Sequence, residues 1–314
     1  MDRKPVSVKS YANIAIVKYW GKADAERMIP STSSISLTLE NMYTETKLSF
    51  LPEDATSDVM YIDDELQGEK ETTKASKVLD LFRTNPNQYV KIETWNNMPT
   101  AAGLSSSSSG LSALVKAANE LFQVGKTQSE LAQIAKFASG SSSRSFFGPL
   151  AAWDKDSGEV YQVETDLKLA MIMLVLTDQK KPVSSRDGMK LCTETSTSFP
   201  EWIKQSEQDY KDMLGYLKAN DFQAVGELTE ANALRMHQTT STANPPFSYL
   251  TDASYQAMDK VKALRASGEQ CYFTMDAGPN VKVLCLEEDL DRLAEHFRKD
   301  YEVIVSRTKE LPDA

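Results

Sequence analysis

The first fifty residues of the chain contain short β-branched runs in which apolar and polar positions alternate. Residues 43–50 (YTETKLSF) follow this period of two closely. Because successive side chains of a strand point to opposite faces, the pattern predicts antiparallel strands with one buried face. We predict further strands at residues 59–62 and 90–95, with a helix over residues 71–83 between them.

Two helices are predicted in the middle of the chain. In the first, apolar residues recur at helical spacing from Leu111 to Phe122, and Gly125 is expected to terminate it. The second begins at a capping box, in which Thr127 and Glu130 satisfy each other's free backbone amides, and is expected to end at Gly140.

The second half of the chain is mainly helical before it closes with a strand, a helix and a strand. Eight apolar residues at 169–176 form the longest apolar run and predict a buried strand. Strands followed by helices favour the α+β class, with two domains at 1–182 and 183–314. The elements predicted here are helices at 198–218, 221–236, 249–266 and 289–298, and strands at 271–275, 281–286 and 301–305.

Charge and hydropathy exclude two classes of partner. The chain has 35 lysine and arginine residues against 45 aspartate and glutamate residues, a net charge of −10. A polyanion such as duplex DNA is therefore repelled, so we expect no nucleic-acid partner. The longest apolar run is far below the roughly 20 residues that span a bilayer. No secretory signal is recognisable at the start, and we expect a cytoplasmic protein without a membrane partner.

Cysteine and histidine give no indication of a metal centre. Cys192, Cys271 and Cys285 are odd in number and lack metal-ligand spacing, so we expect reduced packing residues. His237 and His296 are too few and too widely separated for a zinc site, and we interpret both as structural.

A serine-rich loop is the strongest candidate for chemistry. Residues 99–110 (PTAAGLSSSSSG) join a predicted strand to a predicted helix. Backbone amides and hydroxyls converge there with the positive end of a helix dipole, which favours an anion. A flexible linker is the alternative. A Walker loop is excluded, because neither Gly21-Lys22 nor Gly125-Lys126 follows the required earlier glycine. We predict a phosphate-binding loop of another type.

These residues carry a family resemblance. Residues 99–108 resemble the second motif of the GHMP small-molecule kinase superfamily, whose loop binds ATP phosphates. Within that superfamily, further segments resemble the diphosphomevalonate decarboxylase family. The glycine-rich third motif of the kinases is replaced here by DAGPN, as expected in the decarboxylase branch. The segments are residues 10–22 (SYANIAIVKYWGK), 138–144 (ASGSSSR), 180–186 (KKPVSSR), 231–237 (ANALRMH) and 275–280 (MDAGPN).

The resemblance implies both a fold and a reaction. The fold is the two-domain α+β arrangement of the GHMP kinases, with a half similar to domain 2 of ribosomal protein S5, an α/β sandwich and an active-site cleft between them, usually in a homodimer. The reaction is the conversion of (R)-5-diphosphomevalonate and ATP, with Mg²⁺, to isopentenyl diphosphate, ADP, phosphate and CO2. The 3-hydroxyl is transiently phosphorylated, which turns a poor leaving group into phosphate.

Asp276 is the candidate residue at the reacting alcohol. It lies in a tight turn between two predicted strands, which is a rigid place to hold a carboxylate. An aspartate with a pKa of about 3.9 is a weak base, so orientation or late proton acceptance is expected rather than prior deprotonation. Without the resemblance, a turn-forming aspartate would be the simpler interpretation.

The remaining site residues are carried over by resemblance. Arg144, with Ser139 and Ser141, is expected at the substrate carboxylate, because a guanidinium forms paired hydrogen bonds to carboxylates. Asn13 is expected to orient the reacting end and Lys18 to neighbour Asp276. The other assignments are Tyr19 and Lys22 at the diphosphate, Ser185 at the substrate, Lys181, Gly103, Ser105, Ser106, Ser107 and Ser108 at ATP, and Ser106 or Ser107 at Mg²⁺.

A highly anionic substrate also requires a local basic cluster in this acidic chain. The residues that would supply it are Lys18, Lys22, Arg144, Lys181 and Arg186.

Three alternatives remain at the level of sequence. A superfamily kinase that stops after phosphorylating an alcohol would release ADP without CO2. A serine hydrolase is disfavoured, because no G-x-S-x-G occurs and the only S-x-x-K, Ser306 to Lys309, lacks its companion motifs. The third alternative is a binding protein that keeps the fold without catalysis.

Overall fold

The computed structural model describes residues 4–98, 106–177 and 181–311, and it excludes the side chain of Ser106. The strands are β1 (Val6–Val17), β2 (Lys22–Asp24), β3 (Ile29–Pro30), β4 (Ser34–Phe50), β5 (Val59–Ile62), β6 (Glu65–Leu66), β7 (Val90–Asn96), β8 (Leu150–Trp153), β9 (Val160–Gln162), β10 (Leu169–Val175), β11 (Tyr272–Met275), β12 (Val281–Leu286) and β13 (Glu302–Arg307).

The helices lie mainly in the second half, as the sequence predicts. They are α1 (Glu69–Leu79), α2 (Ser106–Leu121), α3 (Gln128–Ala138), α4 (Ser185–Thr195), α5 (Phe199–Lys218), α6 (Phe222–Ser241), α7 (Asp252–Ala266) and α8 (Leu290–Arg298), with 3₁₀ helices at Gly140–Phe146 and Glu287–Asp289.

The first sheet is built around β4. Its strand order is β6-β5-β7-β4-β8-β9, and β1 pairs with β4 in antiparallel fashion. Because apolar and polar residues alternate in residues 43–50, every second side chain lies on the face of the sheet that α1, α2 and α3 cover. Leu48, Ile92, Leu114 and Leu131 belong to the core formed there.

The second sheet is antiparallel, in the order β11-β12-β10-β13. One of its faces packs against α7 and α8, where Ile172, Phe273 and Val283 meet Val261 and Phe297. This arrangement confirms the predicted buried strand at β10 and the strand-helix-strand ending of the chain.

A shared core joins the two sheets. Ile14 and Leu37 from the first sheet, Met171 from the second and Met213 from α5 belong to one buried cluster. The fold is therefore the predicted α+β arrangement, with strands and helices from both ends of the chain packed together.

The predicted element boundaries differ from the observed ones in several places. The middle helix α2 ends at Leu121 rather than near Gly125, and α3 ends at Ala138, after which Gly140 starts the 3₁₀ helix. The capping box at Thr127 is confirmed. The sequence patterns do not predict helix α4 or strands β6, β8 and β9, because each is short or lacks a strong apolar period. Strands β2 and β3 lie in the region where strands are predicted, but the pattern gives no bounds for them.

Strand β10 precedes the expected domain boundary at residue 182 yet hydrogen-bonds to β12 and β13, which follow it. By strand pairing it belongs to the second sheet. The division into 1–182 and 183–314 stays a prediction.

The expectation about the cysteines is met within the described residues. The three cysteines are free and buried, as packing residues should be. No helix in this part of the chain is both long and apolar enough to cross a membrane.

Candidate active site

A cavity of about 400 Å³ opens where the two halves of the fold meet. The end of β1, the 3₁₀ helix, the start of α4 and the turn between β11 and β12 surround it. The structure thus brings most of the predicted site residues together. Those that line it are Asn13, Lys18, Tyr19, Lys22, Ser107, Ser139, Ser141, Arg144, Lys181, Ser185, Arg186 and Asp276.

Asp276 lies at the end of β11 and is held between two lysines. Lys18 Nζ is 2.8 Å from its Oδ1, and Lys282 Nζ is 3.0 Å from its Oδ2. Burial alone would raise the pKa of Asp276, but the charges and hydrogen bonds of Lys18 and Lys282 outweigh it and hold that pKa well below its usual range. The carboxylate is therefore ionised near neutral pH, and its side chain, which is 22% exposed, lines the cavity.

Hydrogen bonds make the turn after Asp276 rigid. The Gly278 amide donates to the Asp276 carbonyl over 2.8 Å. The Asn280 side chain accepts the Leu176 amide over 2.7 Å, which ties the turn to the end of β10. The carboxylate is therefore mounted on a braced loop between two strands.

Lys18 follows β1 and is only 2% exposed. Burial lowers its pKa to about 8, although Asp276 opposes this effect. Its Nζ also donates to the Ala15 carbonyl over 2.6 Å, and its backbone amide donates to Asn232 Oδ1 over 2.8 Å. Asn232 in turn donates to Asp209, so α5 and α6 fix the position of this lysine.

Arg144 is a buried guanidinium held by two neutral hydroxyls. Its Nε donates to Ser36 Oγ over 3.0 Å and its Nη1 to Ser34 Oγ over 2.6 Å. No carboxylate lies within salt-bridge distance of it in the described ranges. Burial lowers its pKa to about 10, so it still carries its charge near neutral pH. A buried cation that lines a cavity without an acidic partner indicates an anion site.

Asn13 and Tyr19 each have a buried polar atom beside Arg144 that lacks a hydrogen-bond partner among the described residues. Asn13 Nδ2 donates to the Ser141 carbonyl over 2.9 Å and to Ser145 Oγ over 2.8 Å. Its Oδ1 and the Tyr19 hydroxyl are buried and have no hydrogen-bond partner among the residues that the structure describes. Such groups are costly unless a ligand completes them.

The side chain of Tyr19 is kept in place by a close approach at Gly140. A Cβ at position 140 would lie 2.7 Å from the tyrosine ring, so a larger residue there would displace it. The ring also packs against Trp153, with centroids 5.1 Å apart.

Lys181, just before α4, and Ser185, its first residue, also line the cavity. Lys181 Nζ donates to Ser185 Oγ and to the Ala277 carbonyl, both over 2.6 Å. Burial, reinforced by the nearby charge of Lys282, lowers the pKa of Lys181 to about 8.

The serine loop is only partly covered by the structure. Gly103 and Ser105 lie outside the described residues, as does the side chain of Ser106. Ser107 is exposed and lines the cavity at the first turn of α2. Ser108 is buried, does not line the cavity, and accepts the Asn13 amide over 3.5 Å. Its assignment to ATP stays a prediction.

The residues fit a nucleotide that brings its own cation better than a resident metal ion. No group of three or more histidine, cysteine, aspartate or glutamate side chains lies together in the parts of the chain described. Magnesium prefers oxygen ligands and usually keeps several waters and phosphate oxygens. The Ser107 hydroxyl at the start of α2 suits such an ion, and the cations of the cavity suit the phosphates.

Sequence reasoning missed Lys282 and Asn232. A lysine inside the apolar run of β12 was a usable signal, because charged residues are almost never fully buried unless they are paired. Asn232 lies in the segment 231–237 that carries the family resemblance, but its position on a helix gives no indication that it contacts Lys18.

These features define a class of protein: a two-domain α+β enzyme whose cleft holds anions with buried cations around one carboxylate. Two family models divide the chain between them. Residues 10–163 match a diphosphomevalonate decarboxylase-like N-terminal domain, and residues 171–312 match a mevalonate 5-diphosphate decarboxylase C-terminal domain. The chain belongs to the diphosphomevalonate decarboxylase family.

Similar proteins agree with this membership. A diphosphomevalonate decarboxylase of Candida albicans is 30% identical, over 94% of this chain and 88% of the relative. The structure of mevalonate pyrophosphate decarboxylase from Streptococcus pyogenes has 68% identity and a TM-score of 0.97, covering 100% of this chain and 99% of that one. A structure described as MDDEF in complex with MVAPP, AMPPCP and magnesium has 40% identity and a TM-score of 0.90, covering 98% of both chains.

Proposed function

We propose that the chain catalyses the ATP-dependent decarboxylation of (R)-5-diphosphomevalonate to isopentenyl diphosphate, with release of ADP, phosphate and CO2. Family membership supports the reaction. The observation that carries the assignment of residues is the cavity itself, in which Asp276 and the unpaired Arg144 face a common space lined by further cations.

Asp276 is placed to receive the 3-hydroxyl of the substrate. Because its pKa lies far below the usual range, it is ionised but a weak base. It therefore orients the hydroxyl by accepting a hydrogen bond, and it takes the proton only as the new oxygen–phosphorus bond forms. Lys18, at 2.8 Å from Oδ1, stabilises negative charge at the same place.

Arg144 binds the substrate carboxylate. Ser34 and Ser36 hold the guanidinium in one orientation, which lowers the cost of ordering it when the anion arrives. The free Oδ1 of Asn13 can accept a hydrogen bond from the substrate at the same end of the cavity. This arrangement holds the carboxylate ready to leave as CO2 once the neighbouring oxygen has become a phosphate.

The diphosphate is held by the other cationic and hydroxyl groups. Tyr19 offers an unpartnered hydroxyl and Lys22 a partly exposed ammonium. Ser139, Ser141 and Ser185 add hydroxyl donors from the 3₁₀ region and from α4.

ATP and Mg²⁺ are the remaining requirements. The serine loop with Gly103 and Ser105 to Ser108, together with Lys181, would hold the phosphates, and Ser106 or Ser107 would contact the ion. When bound, Mg²⁺ neutralises charge on the transferred phosphoryl group. The half-buried ammonium of Lys181 supplies a further positive charge from the lining of the cavity.

The direct test measures both products. Purified protein with Mg-ATP and diphosphomevalonate is expected to release ADP and CO2 in equal amounts. ADP without CO2 would instead identify a kinase that stops at the phosphorylated alcohol.

Two broader features belong to the same proposal. Family resemblance supports a homodimer, which light scattering should detect as a particle of twice the chain mass. The free, buried cysteines are compatible with a reducing cytoplasm, which localisation of a tagged chain would test.

A further inference from the structure

Lys282 is the most unusual charged residue in the described part of the molecule. It lies in β12, where its neighbours along the strand are Val281 and Val283, and its side chain is 0% exposed. It does not line the cavity, so it cannot contact a ligand there directly. Its ammonium nevertheless reaches Asp276 Oδ2 at 3.0 Å.

Such a residue needs a physical reason. Removing an ammonium group from water is strongly unfavourable unless it is paired and hydrogen-bonded. An apolar side chain would fill the same position in the strand without that cost. Lys18 already forms a salt bridge with Oδ1 of Asp276. A second lysine is therefore not needed merely to give the carboxylate a cationic partner.

We infer that Lys282 is a positioning residue for the decarboxylation reaction: it holds Oδ2 of Asp276, keeps that carboxylate ionised and sets the orientation in which it meets the substrate hydroxyl. The inference rests on the proposed function. Lys18 lines the cavity and can contact the substrate, whereas Lys282 lies behind Asp276 and contacts its Oδ2.

The electrostatic surroundings of Asp276 support this division. Lys18 at the end of β1 and Lys282 in β12 contact it, and Arg144 of the 3₁₀ helix and Lys181 before α4 interact with it through space. From α6, His237 also faces it, but burial lowers the pKa of that histidine to about 4, so the ring is neutral. Lys18 and Lys282 are therefore the positive charges in direct contact with the Asp276 carboxylate.

The proton balance follows from this geometry. As the bond between the 3-oxygen and phosphorus forms and the bond from phosphorus to ADP breaks, the hydroxyl proton passes to Asp276. Two ammonium groups keep the carboxylate a poor acceptor until that bond is well advanced. Without Lys282, Oδ2 is free to turn and Asp276 is protonated at a higher pH.

The test is Lys282→Met, a substitution of similar shape without charge. We expect kcat to fall roughly tenfold or more, with the KM values for both substrates within about threefold of wild type. The acid limb of the kcat profile should move up by about one pH unit. Lys282→Arg, which restores the charge, should return the acid limb toward the wild-type position.

Lys260→Met is the matched control. Lys260 is likewise paired with an aspartate, Asp300, but it is only partly buried and lies away from the cavity. Its removal should leave the acid limb unchanged. If Lys282→Met is insoluble, the profile is taken on Lys282→Gln, which keeps a hydrogen-bond donor without the charge.

The outcomes separate the two proposals. An acid limb that stays at the wild-type pH in Lys282→Met or Lys282→Gln overturns the role of Lys282. Wild-type protein that forms ADP without CO2 overturns the proposed function, whatever the variants do.

Discussion

Individual side chains in this site have chemistry set by their neighbours rather than by residue type. Asp276 stays ionised because two lysines contact it. Arg144 stays available because hydroxyls, and no carboxylate of the described residues, hold its guanidinium. Burial brings the pKa values of Lys18 and Lys181 down to about 8. Both ammonium groups therefore still carry most of their charge near neutral pH and can bind an anion there.

Asp276→Asn tests the role of the carboxylate. We expect turnover to fall by about 10³-fold, because the amide cannot accept the hydroxyl proton. Nucleotide affinity should stay nearly unchanged, since the serine loop is untouched. Lys18 and Lys282 would lose their anionic partner, so we also expect a loss of about 3 kcal/mol in the free energy of unfolding.

Activity of Asp276→Asn is measured by CO2 release and nucleotide binding by calorimetry, both well below the unfolding temperature. Turnover at the wild-type rate would exclude Asp276 from the reacting centre.

Helix α6 links the site to the second sheet at the level of elements. Its Asn232 fixes the Lys18 amide, and its Thr239 accepts the Trp20 indole N–H over 2.9 Å. The same helix packs directly on β11, with Gly226 against the ring of Tyr272. The distance between α6 and β11 therefore influences how Lys18 meets Asp276.

Substitution of Gly226 tests this close contact. Alanine normally stabilises a helix interior by about 1 kcal/mol relative to glycine. At position 226, however, a Cβ would overlap the Tyr272 ring. We expect Gly226→Ala to lower the free energy of unfolding by about 1–3 kcal/mol through overpacking.

Gly215 of α5 provides the matched control, because a Cβ there meets nothing within 4 Å. Gly215→Ala should stabilise the protein by about 0.5–1 kcal/mol. Denaturant unfolding of both variants measures the difference, and equal effects would show that α6 can move away from β11.

The whole molecule is acidic, yet its central cavity is cationic. The net charge is −10, whereas five of the residues that line the cavity are basic and one is acidic. The site also exists only where both halves meet, and the Trp202 indole, which donates to the Trp20 carbonyl over 2.9 Å, helps to hold them together. An anionic substrate is thus attracted by the local positive potential of the cavity, although the net charge of the molecule repels it.

The salt dependence of kcat/KM tests whether the positive potential of the cavity attracts the substrate. We expect kcat/KM for diphosphomevalonate to decrease as salt rises, because screening shortens from about 10 Å at 0.1 M to about 3 Å at 1 M. Lys22→Gln should flatten this dependence. Lys211→Gln, at an exposed lysine outside the cavity, should keep the wild-type slope, and identical slopes for all three proteins would contradict the steering role.

Local sequence patterns determined much of this protein. The alternation in β4, the capping box at Thr127 and the apolar run of β10 act over a few residues, so they can be recognised without the fold. The motif residues were also recognisable, and twelve of those predicted, with Arg186, Lys181 and Lys22 among them, line one cavity.

Only the tertiary structure decided which distant groups meet. Pairing of β10 with β12 depends on residues more than a hundred positions away, and no local pattern encodes that partner. Helix α4 forms because Met189 and Cys192 find an apolar surface beside Trp20, although the segment itself is mostly polar. The burial of Lys282 likewise depends on what covers β12. Interactions between residues that are distant in sequence form only when the whole chain packs. Here that packing brings the separate motif residues together in one charged site.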